Sequence, residues 1–372
     1  MKNKRILVTG CCGTVGQELV RQILQLPGDG LELIGIDNNE SELFFIDQNY
    51  ITDSRASFYL ADMRDFEALD SLFNDIDVVF HAAAFKHVVL CERSPMEAIQ
   101  TNIIGVQNIV SAARKNKVQK VLFTSSDKAV NPTSVMGTSK LMGERLMTAA
   151  NSNMRKGDTV FASTRFGNVL GSNGSVIPIF KSQIKAGGPV TITDKQMSRF
   201  IMTIEEAAKL VISSADLAKG GEVLITKMPV ISIHDLAQVM IEILAPYYGY
   251  KPESVSINVI GCKPGEKLYE ELMSDEETRR SFELENYFSV LPAYRGIYRD
   301  IRYQYEQIIS ETVDNPYNSS CEKKMSQEEL KNYLIEKGLL LGEEEEGPLQ
   351  RYWPGDKEKS TSDTTEVDAT NV

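Results

Sequence analysis

Three glycines at intervals of three residues, Gly10, Gly13 and Gly16, follow a short apolar run that begins at Arg5. They precede a segment with helical spacing. A chain turns this tightly between a strand and a helix where side chains are absent, and the bare backbone then lets an anionic group approach the helix N-terminus. The feature predicts a strand, a phosphate-binding loop and a helix in succession, as in a doubly wound α/β fold.

The rest of the chain continues this alternation. Apolar, β-branched runs at 31–37, 77–84, 120–126 and 159–169 are separated by segments of helical periodicity, as at 15–26 and 96–116. This order predicts βαβ units and a Rossmann-like, doubly wound parallel sheet. After about residue 170 the pattern is less regular, with Gly and Pro punctuation. We expect a dinucleotide-binding domain over 1–170 and a smaller C-terminal substrate-binding lobe over 171–342, with some segments returning to the first domain.

The C-terminal part of the chain is acidic. Ser326 and Glu329 have the spacing of a capping box, so one last helix is expected before Gly338. Residues 343–372 hold nine acidic and three basic residues, and we predict a disordered tail there. The formal net charge is −12 and Lys and Arg are not clustered, so nucleic acid is not an expected partner.

The cysteines and histidines do not indicate a metal site. The five cysteines share no CxxC spacing, which argues against both a disulfide framework and a zinc site, and the three histidines are scattered. The opening segment lacks the apolar region of a signal peptide, and the chain has no apolar run of about 18 residues. We expect a soluble, cytoplasmic protein without a membrane segment or a metal.

An acidic residue follows the second predicted strand. Asp37 lies 21 residues beyond Gly16, where a carboxylate hydrogen-bonds the adenosine ribose of a dinucleotide and repels a 2'-phosphate. This favours NAD over NADP as cofactor. Asp62, in the segment LADMRD, either meets the adenine edge or lies in a surface turn. The residues predicted to bind the cofactor are Gly10, Gly13, Thr14, Val15, Gly16, Asp37, Asp62, Met63, Ala82 and Ala83.

The glycine spacing, Asp37 and the segment HAAA at 81–84 together resemble the extended short-chain dehydrogenase/reductase family. Longer segments, among them SSDKAVNPTSVMGTSK at 125–140 and KPGEKLYEEL at 263–272, are similar to nucleotide-sugar 4,6-dehydratases that act on UDP-N-acetylglucosamine. These segments span residues 5–275 in fixed order, which is more specific than any single motif. The resemblance implies a role in polysaccharide biosynthesis or protein glycosylation, a soluble short form of the family, and a homo-oligomer.

The resemblance implies roles for the segment at the end of the predicted strand at 120–126. Lys128 would be the base that removes the hydrogen of sugar carbon 5, and Asp127 the acid that protonates the departing hydroxyl of carbon 6. Ser126 would stand in the place of the family's hydroxyl residue. These roles require a lowered pKa for Lys128 and a raised pKa for Asp127. The alternative is a surface ion pair, but the position at the carboxyl edge of the sheet favours catalysis.

A methionine occupies the place where the family is expected to carry the Tyr of a Tyr-x-x-x-Lys motif. This residue, Met136, lies one helical turn before Lys140. The resemblance places Lys140 at the nicotinamide ribose, as a cofactor-binding and catalytic residue. Met136 cannot accept a proton, so we treat it as a family variant of the catalytic position and expect Ser126 or an ordered water to relay the proton from carbon 4.

Several polar residues are expected to hold the nucleotide half of the substrate, where charge-assisted hydrogen bonds to a diphosphate are strong. For each of them an ordinary surface charge is the alternative. Lys263 replaces the Arg that is usual before Pro-Gly-Glu, which loses a bidentate fork. The predicted substrate-binding residues are Lys86, His87, Arg165, Asn168, Arg199, Lys263 and Glu266.

Three functions remain open from the sequence. The first is an NAD-dependent UDP-N-acetylglucosamine 4,6-dehydratase, a hydro-lyase that oxidises carbon 4, eliminates water across carbons 5 and 6 and returns the hydride to carbon 6. The second is a nucleotide-sugar epimerase of the same fold, which needs Lys140 but not the pair Asp127 and Lys128. The third is a non-catalytic dinucleotide-binding regulator, as the missing Tyr suggests. Retention of the acid/base pair favours the first, and the configuration at carbon 5 stays open.

Overall fold

The computed structural model describes residues 3–27, 30–152, 159–171, 175–261, 266–294, 301–306 and 308–340. Two predictions, the disordered tail at 343–372 and the role of Lys263, lie outside the described residues. The strands are β1 (Arg5–Thr9), β2 (Glu32–Asp37), β3 (Ala56–Leu60), β4 (Val78–His81), β5 (Lys120–Ser126), β6 (Val160–Phe166), β7 (Asn168–Val169), β8 (Val190–Ile192), β9 (Ser198–Met202), β10 (Val223–Thr226), β11 (Val230–Ser232), β12 (Ile257–Val259), β13 (Ser281–Leu284), β14 (Tyr287–Val290) and β15 (Ile308–Ser310).

The helices alternate with the strands in the first half of the chain. Short 3₁₀ turns lie at Asp127–Ala129 and Pro252–Ser254, and a π turn lies at Gln100–Ile104. The α-helices are α1 (Thr14–Gln25), α2 (Glu40–Asn49), α3 (Phe66–Leu72), α4 (Val88–Arg93), α5 (Pro95–Ile99), α6 (Gly105–Lys115), α7 (Val135–Ser152), α8 (Val176–Lys185), α9 (Ile204–Leu217), α10 (Ile233–Tyr247), α11 (Asp275–Thr278) and α12 (Gln327–Glu336).

The central sheet has the predicted doubly wound topology. Within the described residues ten strands form one sheet, in the order β15-β13-β14-β10-β6-β5-β4-β1-β2-β3. From β3 to β10 every neighbouring pair is parallel, whereas β14, β13 and β15 add an antiparallel edge. The strand order reverses between β1 and β4, and a fold of this kind binds ligands outside the carboxyl ends of the strands at such a point. The Rossmann-like prediction is confirmed.

Both faces of the sheet are covered, which explains why its central strands are apolar along their whole length. On one face α1 and α9 pack together through side chains such as Leu19 and Val211. On the other face α3, α6 and α7 enclose a second cluster that includes Phe73 and Ile109. The helices therefore hold the carboxyl ends of β1, β4, β5 and β6 at one edge.

A separate apolar cluster lies in the second half of the chain. It joins α8, α10 and α12 with β8 and β9, through side chains such as Phe180, Leu244 and Leu330. Two small sheets, β11-β9-β7 and β12-β8, accompany it. However, β10, β13, β14 and β15 also come after residue 170 and belong to the central sheet.

Two local features differ from the sequence predictions or extend them. The helix expected over 96–116 is divided by the π turn at Gln100–Ile104. The buried Asn102 of this turn accepts from Phe85 N at 2.8 Å and donates to Ser139 Oγ at 2.9 Å, so it fixes the loop after β4 against α7. The capping box of Ser326 and Glu329 at the start of α12 is confirmed. No helix among the described residues is long and apolar enough to cross a membrane.

Candidate active site

A cavity of about 710 Å³ lies at the carboxyl edge of the central sheet. It brings together three groups of residues that the sequence predicted separately: the glycine loop, the segment after β5 and Lys140 of α7. Of the predicted site residues, the cavity is lined by Gly10, Gly13, Thr14, Val15, Gly16, Ala82, Lys86, His87, Ser126, Asp127, Lys128, Lys140 and Asn168.

The glycine loop fits the pyrophosphate of a dinucleotide. Gly10 has a φ of +69°, and a Cβ on Gly16 would lie 1.9 Å from Gly10 O, so the loop can exist only without these side chains. Gly13 is the N-cap of α1 and makes no side-chain cap. The first N–H groups of α1 therefore face the cavity without a side-chain acceptor, and a helix N-terminus in this state attracts an anion.

Asp37 lies at the edge of a smaller adjoining cavity of about 150 Å³, which is also lined by Met63, Ala82 and Ala83. Its carboxylate accepts from Cys12 N and Asn39 N, both at 3.0 Å. The neighbouring carboxylate of Asp62 is held instead by the Arg64 guanidinium, which keeps the pKa of Asp62 below its usual range. Asp62 does not line the cavity within the described residues, so its contact with adenine stays a prediction.

Ser126, Asp127 and Lys128 form one hydrogen-bonded group at the end of β5. Ser126 Oγ donates to Asp127 Oδ1 at 2.5 Å, and Lys128 Nζ lies 3.0 Å from Asp127 Oδ2. The 3₁₀ turn at Asp127–Ala129 begins here, with the Ser126 hydroxyl as its cap. The Asp127 side chain is 5% exposed, whereas the Lys128 side chain is 39% exposed and faces the cavity. The pair is thus part of the cavity wall and not a surface ion pair.

The protonation states of this pair differ from the sequence expectation. Burial alone raises the pKa of Asp127, but the Lys128 ammonium and the Ser126 hydroxyl outweigh it and hold that pKa below its usual value. Burial alone lowers the pKa of Lys128, but the Asp127 and Glu270 carboxylates raise it above its usual value. The predicted directions are therefore wrong for this structure, because each group stabilises the charged form of the other.

A second carboxylate, which the sequence reasoning missed, lies beside the pair. Glu270 is buried, with its Oε1 3.3 Å from Arg199 Nε, and Oε2 has no hydrogen-bond partner among the described residues. Burial and the Asp127 carboxylate raise the pKa of Glu270 to about 7. The segment KPGEKLYEEL contained the only sequence signal for this residue. Its position next to β9 depends on the tertiary fold, which the segment does not reveal.

We expect Glu270→Gln to change how stability depends on pH. A carboxyl with a raised pKa stabilises the folded chain below its ordinary pKa, and this contribution is lost as pH rises through about 7. Gln imitates the protonated form at every pH, so the unfolding free energy of the variant relative to the wild type should rise by roughly 3 kcal/mol between pH 4 and 8. Urea unfolding at both pH values measures it. The exposed residue Glu253 provides the control, Glu253→Gln. If the unfolding free energies of Glu270→Gln and the wild type differed by the same amount at both pH values, the expectation would be contradicted.

Lys140 is buried in the wall of the same cavity. Its Nζ donates to Thr124 O at 2.9 Å and lies 4.8 Å from the centre of the Phe123 ring. Burial lowers the pKa of Lys140 to about 8, against the opposing effect of Glu144. Lys140 therefore releases its proton more readily than an exposed lysine does.

The structure corrects the expectation for Met136. This side chain is 3% exposed and packs against Cys91 and Ala98, and it is absent from the cavity wall. The reason is that α4 and α5 cover this face of α7 with apolar side chains. Met136 thus supports the start of α7 and does not face the groups that would react.

A second cavity, of about 420 Å³, adjoins the first and shares Lys86, His87 and Asn168 with it. It extends between β9 and α8 and is also lined by Arg199 and Glu266. The fold therefore brings these five predicted substrate residues to one continuous space. Its wall is otherwise mostly apolar, with side chains such as Ile192, Phe180 and Ile233, as is usual for ligand pockets.

The prediction for Arg165 is wrong. Its side chain is 1% exposed and donates to Glu144, Glu277 and Leu272 O at 2.7 to 3.0 Å. These contacts use all five N–H donors of the guanidinium, so none is left for a diphosphate. Arg165 instead ties β6 to α7 and α11.

Comparisons with known proteins find relatives over most of the chain. A UDP-N-acetylglucosamine 4,6-dehydratase (inverting) of Campylobacter jejuni is 37% identical over 298 residues, 80% of this chain and 85% of the relative. A UDP-glucose 4-epimerase of Rickettsia felis is 36% identical over 341 residues, 90% of this chain and 96% of the relative.

A solved structure agrees over most of the chain as well. The X-ray structure of Pen from Bacillus thuringiensis matches with a TM-score of 0.82 at 40% identity, over 91% of this chain and 99% of that one. The family described as "Polysaccharide biosynthesis protein" matches residues 6–292. These residues include the glycine loop, the Ser126–Asp127–Lys128 group, Lys140 and Glu270, so the chain belongs to the polysaccharide biosynthesis protein family.

Proposed function

We propose that this chain is an NAD-dependent nucleotide-sugar 4,6-dehydratase whose substrate is UDP-N-acetylglucosamine. The observation that carries the proposal is the ion pair of the buried Asp127 with Lys128, which shares one cavity with the glycine loop and Lys140. A dinucleotide on the loop and a sugar beside the pair would both fit this cavity of about 710 Å³. The named dehydratase and epimerase relatives support an enzyme that acts on nucleotide sugars.

The residues around the glycine loop fit NAD. The N-terminus of α1 would hold the pyrophosphate, Asp37 the adenosine ribose and Lys140 the nicotinamide ribose. When bound, NAD supplies the acceptor for the hydride of sugar carbon 4 and the donor that returns it to carbon 6. The negative charge of the Asp37 carboxylate would repel the 2'-phosphate of NADP, and the hydrogen bonds from Cys12 N and Asn39 N fix the position of that charge.

Gly16→Ala should remove this binding. The new Cβ would lie 1.9 Å from Gly10 O, so the loop backbone must move away from the position that receives the pyrophosphate. We expect no measurable NAD binding by calorimetry. Gly249→Ala is the control, because its Cβ would meet nothing within 4 Å, although Gly249, unlike Gly16, has a positive φ of +83°. That variant should bind NAD like the wild type, and equal binding by Gly16→Ala would contradict the role of the loop.

The pair Asp127 and Lys128 can supply the acid and the base of the elimination. In the structure Lys128 carries the proton and Asp127 the negative charge. A sugar that fills the cavity removes water from the ion pair, which weakens the charged state relative to the neutral one. Transfer of one proton across the 3.0 Å hydrogen bond then gives a neutral amine and a protonated carboxyl. The amine removes the carbon-5 proton, and the carboxyl protonates the leaving carbon-6 hydroxyl, which departs as water.

The proton of the carbon-4 hydroxyl needs a different acceptor, because Met136 is buried away from the cavity. Ser126 Oγ is the nearest hydroxyl to the pair and already donates to Asp127 Oδ1 at 2.5 Å. We assign the relay to Ser126 and a water that passes the proton on to solvent, because the Asp127 carboxyl takes its proton from Lys128.

The second cavity would hold the nucleotide half of the substrate. Lys86 and Asn168 offer donors for the diphosphate, and Arg199, whose guanidinium already donates to the carbonyls of Ser198, Lys267 and Leu268, adds positive charge. The apolar wall near Phe180 offers a surface for the uracil ring. Most of this wall comes from residues beyond 170. We therefore assign residues 1–170 mainly to NAD and the part from 171 onward mainly to the nucleotide sugar.

Mass spectrometry of the product separates this function from an epimerase, the function named for the Rickettsia felis relative. Incubation of the protein with NAD and UDP-N-acetylglucosamine should give a product that has lost one water. A product of unchanged mass with a different sugar configuration would establish the epimerase instead. No reaction, with NAD bound, would favour a binding protein.

A further inference from the structure

We propose that the thiols of Cys11 and Cys12 and the carboxylate of Asp37 form a binding site for one thiophilic divalent cation of the Zn²⁺ and Cd²⁺ class. The ligand atoms of the three residues lie within 4.8 Å of one another. Two sulfur ligands of a tetrahedral zinc ion are about 3.8 Å apart. Side-chain movements of about 1 Å would therefore close the set around a cation.

The backbone brings the three donors together. β1 and β2 are parallel, with Thr9 opposite Ile36, so the residues after β1 lie beside the end of β2. Gly10 N and Cys11 N both donate to Ile36 O, at 2.8 and 3.3 Å. These bonds hold the loop next to Asp37 whether or not a ligand is bound. The sequence could not reveal the set, because two of its members are adjacent and the third comes from the neighbouring strand.

The donors suit a soft cation. Sulfur ligands select Zn²⁺ and Cd²⁺ over Mg²⁺ and Ca²⁺, which prefer oxygen. The Asp37 carboxylate is oriented by Cys12 N and Asn39 N, both at 3.0 Å, as carboxylate ligands of metal sites commonly are by their outer partners. Cys11 is buried, whereas Cys12 is partly exposed. Three protein donors leave one tetrahedral position, on the open side, for water.

The cation and NAD should exclude each other. Under the proposed function Asp37 binds the hydroxyls of the adenosine ribose, and the same carboxylate cannot serve both ligands at once. This exclusion rests on the proposed NAD site, but binding of the cation does not. The cation would thus act on the apoprotein and prevent the cofactor from entering.

Titration of the NAD-free protein with Cd²⁺ tests the site directly. We expect an ultraviolet sulfur-to-cadmium charge-transfer band that saturates at one equivalent. Cys12→Ser should weaken Cd²⁺ binding by more than about 100-fold, because loss of a metal ligand lowers affinity more than loss of a group that only hydrogen-bonds to a ligand. Asp37→Asn should also weaken it and serves as a second variant if Cys12→Ser does not fold. Cys321→Ser is the matched control, since Cys321 is exposed.

Absence of the band, or the same band in Cys12→Ser and Asp37→Asn as in the wild type, would overturn the site. Saturating NAD should abolish the band in the wild type. If Cd²⁺ bound equally well with NAD present, the proposed overlap of the cation site with the NAD site would be refuted. None of these measurements follows dehydration of a sugar, so they separate failure of the cation site from failure of the proposed function.

Discussion

Asp127→Asn should lower the rate of water loss from UDP-N-acetylglucosamine by about 10²- to 10⁴-fold, the usual contribution of a positioned general acid. Asn has nearly the same shape as Asp but no acidic proton for the carbon-6 hydroxyl. The first half of the reaction should survive, because the variant keeps Lys128 and Lys140. Removing the Asp127 charge also removes a cause of the raised pKa of Lys128, which favours the neutral amine.

Two measurements on this variant locate the missing step. Reduced nicotinamide should accumulate in its absorbance band, and deuterium from D₂O should appear at carbon 5. Lys128→Met should also form reduced nicotinamide but should incorporate no deuterium. Asp75→Asn is the control, since the Asp75 side chain is 83% exposed and pairs with Arg5. Unchanged water loss in Asp127→Asn would refute the acid role. Epimerisation of the sugar at the same rate in Asp127→Asn and in the wild type would point to the nucleotide-sugar epimerase.

Arg165→Met should lower the unfolding free energy by about 3–5 kcal/mol, the cost of breaking a buried ion pair from one side. The substitution leaves Glu144 and Glu277 buried without their cation, although their side chains are only 3% and 8% exposed. Urea unfolding of the NAD-free protein measures the change. Arg64→Met is the control, because its partners Asp62 and Glu97 are 27% and 53% exposed. There we expect about 1 kcal/mol or less.

A rescue experiment separates this structural role from a role in substrate binding. Adding Glu144→Gln and Glu277→Gln to Arg165→Met removes the two unpaired charges and should restore part of the stability. A variant with wild-type stability but weak UDP binding would instead return Arg165 to the substrate site.

Local spacing was sufficient to predict the parts of the site that one segment builds. The glycine loop, Asp37 and the strand at 120–126 depend on neighbouring residues, and the structure places them as expected. The pair Asp127 and Lys128 follows this strand directly and therefore also reaches the cavity.

Properties set by distant residues could not be predicted in this way. Arg165 is an Arg at the end of a strand, and only the positions of α7 and α11 show that its donors are all used. The pKa of Lys128 depends in part on Glu270, which comes from a segment after β12. The antiparallel strands β13 to β15 are short and carry polar residues such as Glu283 and Ser289, so their apolar pattern is weak.

The position of β10 in the central sheet has a practical consequence. β10 pairs with β6 on one side and with β14 on the other, although β7, α8, β8, β9 and α9 separate β6 from β10 in the chain. A truncation at residue 170 would leave the backbone of β6 unpaired along one side, a surface that recruits strands of other molecules. We expect such a fragment to aggregate, so the half that would carry NAD cannot be prepared alone by a single cut.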